Sequence, residues 1–219
     1  MERECMNGGK LISVNVGMPR EITWRREMIL TSIFKEPVAG SVRVGKQNIE
    51  GDGQSDLNVH GGMLKAVYVY PSEHYPFWRS ECPDLEFPWG AFGENLTTRG
   101  LLEKDVAIGD RLTIGAVELV VTQPRLPCFK LGIRFGRAGM VKRFLKSGMS
   151  GFYCAVVNEG MITSGDTIEH VRNEESSMTV FEIYSLYTDK KPDAVLLQKA
   201  STIASLPDRW QRHFREMAG

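Results

Sequence analysis

Residues Asp110–Lys130 read DRLTIGAVELVVTQPRLPCFK, and their pattern decides the fold class. Two short runs rich in Val, Ile, Leu and Thr, Asp110–Ile114 and Val117–Thr122, flank Gly115-Ala116, and each reads as a strand. The same character recurs in Lys10–Val16, Glu27–Phe34, Ser41–Val44, Ala66–Tyr70, Phe152–Val157 and Asp166–Val171, with Gly, Pro, Asp and Asn between the runs. Short strands separated by turn formers are the pattern of a β-barrel or sandwich, so the chain is expected to be mainly β. Helical insertions are expected near Ser72–Ser80 and Ala138–Ser147, the second stopping at Gly148.

After Asn173-Glu174-Glu175-Ser176-Ser177 the strand-like alternation ends and three short helical patterns follow. Ser177 or Thr179 opens the first, with Val180, Ile183, Tyr184 and Tyr187 on one face. Lys191-Pro192-Asp193 starts the second, carrying Val195, Leu196, Ala200 and Ile203, and the third begins near Pro207 with Trp210 and Phe214 one turn apart. The expected division is a β domain over residues 1–174 and a three-helix domain over 175–219. A tail of that size is marginal alone, so it is expected to pack on the barrel or on a partner, such as a second copy in a homodimer.

Twenty-seven basic and twenty-seven acidic residues cancel, which gives no reason to expect a nucleic-acid partner. No apolar run approaches the roughly 20 residues of a membrane helix, and Met1-Glu2-Arg3-Glu4 lacks the start of a signal peptide. The expected location is cytoplasmic. Cys5, Cys82, Cys128 and Cys154 lie far apart without C-x-x-C spacing, which argues against a disulfide framework or zinc knuckle. Cys5, Cys82 and Cys154 are read as structural, with Cys154 buried in a strand.

Cys128 differs. It sits between Pro124 and Pro127 on one side and Phe129-Lys130 on the other, with Arg125 close by. Neighbouring cations favour the thiolate, which is the nucleophilic and metal-binding form, although a buried structural cysteine is the plainer reading. Two polar loops accompany it. Gly51–Gly62 ends in His60-Gly61-Gly62, where a backbone can approach a ligand closely and an imidazole can move a proton; its acidic residues lack the order of a calcium loop. Trp89–Gly100 combines an aromatic ring, glycines, Asn95, Thr97, Thr98 and Arg99, a set able to hold a polar heterocycle or a phosphate. Arg20, Arg25 and Arg26 are read as a solvated strand edge. From residues alone the site is an electropositive pocket with a thiol. A His60/Cys128 zinc site lacks recognisable further ligands, and a Cys–His nucleophilic pair stays open.

Taken together, Ser55–Gly62, Phe92–Thr97, Ile108–Leu112 and Gln123–Leu131 resemble, in order and spacing, the MOSC domain family, named for the C-terminal domain of molybdenum cofactor sulfurases. With the helical tail added, the chain is similar to the bacterial branch associated with resistance to hydroxylaminopurine. The resemblance implies a β-barrel that binds the pyranopterin molybdenum cofactor, with Cys128 as the protein ligand to molybdenum. It further implies reduction of N-hydroxylated compounds, with electrons from a separate flavoprotein, since no flavin or iron–sulfur motif is present. By the same analogy His60 and Lys65 stand near the substrate as proton donors. Asn95, Thr97, Arg99 and Gly61 line the cofactor, and Arg125 and Lys130 supply positive field. Two other classes remain: a carrier of cofactor or sulfur, for which no pyridoxal phosphate domain is present, and a metal-free Cys–His enzyme of hydrolase type. Pyridoxal phosphate is not an expected cofactor. Pro124 and Leu126 stand where amidoxime-reducing relatives have a C-P-R-C run.

Overall fold

The computed structural model describes residues 5–55, 61–173 and 178–219, those of 5–7 by backbone alone. Seven strands close into a barrel: Cys5–Val16 (β1), Val67–Pro71 (β6), Leu96–Arg99 (β7), Arg111–Ile114 (β8), Val117–Pro124 (β9), Phe152–Asn158 (β10) and Thr167–Val171 (β12). Their order is β12-β8-β9-β10-β6-β7-β1, and β1 pairs back to β12 with Gly9 opposite Ile168. Only β6 and β7 run parallel. The short strand Glu36–Pro37 (β4) adds to the outer part of β1.

Two further strand pairs, one a hairpin and one joining distant segments, lie outside the barrel sheet. Arg20–Trp24 (β2) pairs with Glu27–Thr31 (β3), and Ser41–Val44 (β5) pairs with Gly160–Thr163 (β11). The run Glu27–Phe34 is therefore no barrel strand: it stops at Thr31, and its outer residues Met28 and Leu30 are exposed. The β2–β3 turn puts Arg25 and Arg26 at positive φ, in keeping with the solvated edge expected of them. Leu96–Arg99 escapes sequence reading because it is four residues long and is preceded by glycine-rich turns.

The strand β6 shows how the core is built. All of it is buried, yet the two faces differ: Val67 and Val69 join the aliphatic barrel core, while Tyr68 and Tyr70 join an aromatic cluster outside the barrel wall. That second cluster holds Trp78 of Tyr75–Glu81 (α1), Leu131 of Phe129–Arg134 (α2) and Phe144 of Gly139–Ser147 (α3), with Tyr70 and Phe92 ring centroids 4.6 Å apart. The cluster anchors α2, the helix that starts at Cys128.

The tail forms Val180–Thr188 (α4), Ala194–Ala200 (α5) and Asp208–Ala218 (α6). Thr179 and Glu182 make a reciprocal capping box at α4, and Asp193 caps α5. Ile183, Leu197, Trp210 and Phe214 belong to the same apolar cluster as the barrel strands, so the tail packs on the barrel. The face expected for α5 is displaced in part: Val195 is 74 % exposed and Leu196 41 %, and Leu197 turns inward in their place, beside Ala200, which is buried as expected. Cys82 and Cys154 are buried, as expected of structural cysteines, and burial pushes the Cys154 thiol well up. No helix among the described residues is long and apolar enough to cross a membrane.

Candidate active site at Cys128

The strand β9 delivers the reactive segment. It ends at Pro124; Arg125, Leu126 and Pro127 then turn the chain outward, and Cys128 caps the six-residue helix α2 in an extended conformation. Its carbonyl accepts from Leu131 N–H at 3.0 Å, which fixes the start of the helix, and its side chain is half-buried. Two cavities meet there. Cys128, Lys65 and Tyr153 line both of them.

The smaller is a cleft of about 90 Å³ beside the loop Gly53–Ser55. Arg125 is buried in its wall, with the guanidinium 4.8 Å from the Tyr68 ring centroid and 5.3 Å from that of Phe144. Its Nη1 has no hydrogen-bond partner among the described residues. Lys130, also buried, donates to Ser55 Oγ at 3.2 Å. On the far side Lys35 pairs with Asp52, whose carboxylate also accepts from Gly17 N–H at 2.9 Å and Asn95 Nδ2 at 2.8 Å. Burial pushes the Lys35 amine below its ordinary value, with Asp52 opposing the shift. Burial likewise raises the Tyr68 and Tyr153 phenols above theirs, so both stand in the site as neutral hydroxyls.

The larger cavity, about 660 Å³, opens on the other side of Cys128 between the barrel and the tail. Gly61, Gly62, Met63, Leu64 and Leu126 line the barrel side; Tyr187, Arg209, Trp210 and His213 line the tail side. Thr122 Oγ1 donates to Leu64 C=O at 2.7 Å and so ties the turn Met63–Lys65 to β9. Gly62 has φ +94°, a conformation that favours glycine, and open space where a Cβ would stand. Trp210 Nε1 donates to Gln123 Oε1 at 2.6 Å, which pins α6 to β9 directly behind the reactive segment.

The MOSC domain profile matches residues 56–169, and the chain is 38% identical over 205 residues to the uncharacterized protein YflK of Bacillus subtilis, covering 93% of this chain and 92% of that one. The chain belongs to the MOSC domain family. Among solved structures it is similar to YiiM from Geobacillus stearothermophilus, with a TM-score of 0.81 and 32% identity over 96% of this chain and 100% of the other. It also matches a protein named reductase from Gibberella moniliformis at 33% identity over 199 residues, 89% of this chain but 35% of that longer one.

In this MOSC barrel the residues singled out by sequence separate into two groups. Cys128, Lys65, Arg125, Lys130 and Asn95 gather at the small cleft, and Gly61 lines the large cavity. The amide of Asn95 is spent on the protein itself, holding Asp52 and accepting from Tyr68 N–H at 3.0 Å. Thr97 and Arg99 reach neither cavity. The Thr97 hydroxyl is buried between Glu94 and Asn15, and Arg99 is exposed where β7 ends. The physical reason is Glu94, a buried carboxylate that accepts from Gly90 N–H, Phe92 N–H, Thr97 and Tyr75, so the glycine-rich loop closes on its own acid instead of on a ligand. His60 lies outside the described residues.

Sequence reading missed Lys35, Tyr68 and Tyr153 in the cleft and the tail residues Tyr187, Arg209 and His213 in the cavity. Asp52 stood inside the polar loop already singled out; Lys35 carries no local signal, because its role arises only when two distant loops meet.

Proposed function

We propose that this chain is a molybdenum-cofactor-dependent oxidoreductase that reduces N-hydroxylated compounds such as hydroxylaminopurine. The observation that carries the reading is the position of Cys128: a half-buried thiol where a cation-lined cleft meets an open cavity. Among the described residues no three His, Cys, Asp or Glu side chains gather around one point, so Cys128 would be a single protein ligand, which suits a metal that arrives with its own sulfur ligands. The unpartnered buried N–H of Arg125 calls for an acceptor, and an anionic cofactor would bring one. The residues therefore fit the group: Cys128 would hold the metal, with Arg125 and Lys130 on the anionic portions. When bound, such a cofactor supplies the two-electron chemistry.

Conversion of R–NHOH to R–NH₂ takes two electrons and two protons and releases water, so a donor must meet the departing oxygen. Lys65, at the junction of both cavities, takes this role, with the neutral Tyr153 hydroxyl beside it; the Lys65 ammonium lies 5.9 Å from the Tyr153 ring centroid. His60 is a second donor by resemblance. Electrons come from a separate flavoprotein. Similarity to a protein named reductase supports a redox role.

The test is metal analysis paired with turnover. Chain made in a host that synthesises the cofactor should carry about one molybdenum per chain, and Cys128→Ser should lose both metal and reductase activity while melting normally. Stoichiometric zinc, or full activity without metal, overturns the proposal.

A further inference from the structure

The larger cavity is only half a product of the barrel. Tyr187, Arg209, Trp210 and His213 all follow residue 169, where the matched MOSC segment ends, so the tail sets what this chain admits to Cys128. Three of these side chains are neighbouring rings: Tyr187 lies 5.0 Å from Trp210 and 4.9 Å from His213 between centroids, tilted by 49° and 43° to them. Trp210 is largely buried and held by Gln123, whereas Tyr187 is 37 % exposed at the cavity wall. A fixed ring with an open neighbour is a stacking platform for a flat ligand. The charges lining the cavity have one sign. Lys65 and Arg209 contribute cations, and none of the described lining residues is Asp or Glu.

We propose that this cavity binds a heteroaromatic ring that carries a phosphate, stacked on the exposed Tyr187 ring with its phosphate on Arg209. This rests on the reductase reading above and sharpens its substrate class: the compound taken is a purine nucleotide instead of a free base. A platform alone would serve base, nucleoside and nucleotide alike; the acid-free wall with Arg209 distinguishes them, because a guanidinium recognises phosphate through paired hydrogen bonds.

The experiment is calorimetric titration of the full chain with adenosine 5′-monophosphate and with adenosine. The nucleotide should bind about tenfold more tightly, a gap that narrows with added salt. Arg209→Ala should bring the nucleotide to the level of the nucleoside and leave the nucleoside unchanged. Tyr187→Ala should weaken both by about tenfold. Both positions are exposed, and unchanged melting will show that the variants fold. Equal binding of the two probes, or a gap that survives Arg209→Ala, overturns the proposal. Loss of molybdenum from Arg209→Ala with the gap retained would also overturn it, by assigning Arg209 to the cofactor's own phosphate. Because binding is measured without turnover, the discrimination can stand in Cys128→Ser protein even if the reductase reading fails. Conversely, a proven reductase that binds both probes equally refutes only this inference.

Discussion

Arg125 is built at a cost to the folded protein. Its guanidinium is buried against Tyr68 and Phe144, and one N–H is left without a partner among the described residues, a deficit of about 1–3 kcal/mol for a buried donor. An unsatisfied buried donor can take an acceptor from a ligand, which is the role proposed for Arg125 above. Arg125→Met is expected to change the free energy of unfolding by no more than about 1 kcal/mol, because methionine fills the slot between the rings and removes the orphaned donor. On the proposed function, the same variant should carry little molybdenum. Denaturant unfolding and metal content on one preparation check both; a large loss of stability with metal retained would make Arg125 structural. Lysine is no substitute, lacking the planar fork that stacks on the rings.

The elements around the site are pinned by buried charge as well as by apolar packing. Asp52 ties the loop after β5 to Gly17 beyond β1, to Asn95 ahead of β7 and to Lys35. Since burial holds the Lys35 amine below its ordinary 10.5, the unfolded chain binds that proton more tightly than the folded one. Stability therefore rises with pH from the folded value up to 10.5. Lys35→Met should remove this share of the rise and, by leaving the Asp52 carboxylate buried without its cation, cost about 3–5 kcal/mol at neutral pH. Urea midpoints for the wild type and variant from neutral to alkaline pH measure both effects; parallel curves would refute the first. Such a pair is invisible in sequence, where Lys35 and Asp52 sit in unrelated loops. Val117–Thr122 and Phe152–Val157, by contrast, were legible because alternation and flanking turn formers are local properties. The helix α2 fell between these cases: six residues carry too little periodicity to announce a helix, although Leu131 buries as one would require. The flanking cations and prolines singled out Cys128, which stands where the two cavities meet, whereas the bond from Thr97 to Glu94 carries no local signal, because a hydroxyl that serves a ligand and one that serves a buried acid look alike in a sequence.

At the scale of the molecule, the tail and the barrel share one apolar core, and the cavity beside Cys128 exists because they do. Phe214 is wholly buried one turn beyond Trp210 on α6. Phe214→Ala should destabilise the chain by about 3–5 kcal/mol and loosen the wall that carries Trp210. Unfolding should remain a single transition if barrel and tail fold as one unit, which calorimetry will show; two resolved transitions would mean that the tail melts separately. The aromatic pair of α6 was evident from its spacing, but its contact with Gln123 was not, because that bond joins residues 87 positions apart.

The pairing of β1 with β12 has a consequence for biosynthesis. The strand β1 finds one of its two barrel neighbours only after residues Thr167–Val171 have been made, so the ring cannot shut until the growing chain has passed residue 171. Until then β1 and β8 each present an unpaired edge, the kind of surface that recruits other chains. The last strand to emerge is therefore also the one that seals the protein against its neighbours, and substitutions in Thr167–Val171 will be felt in the yield of soluble protein before they are felt at Cys128.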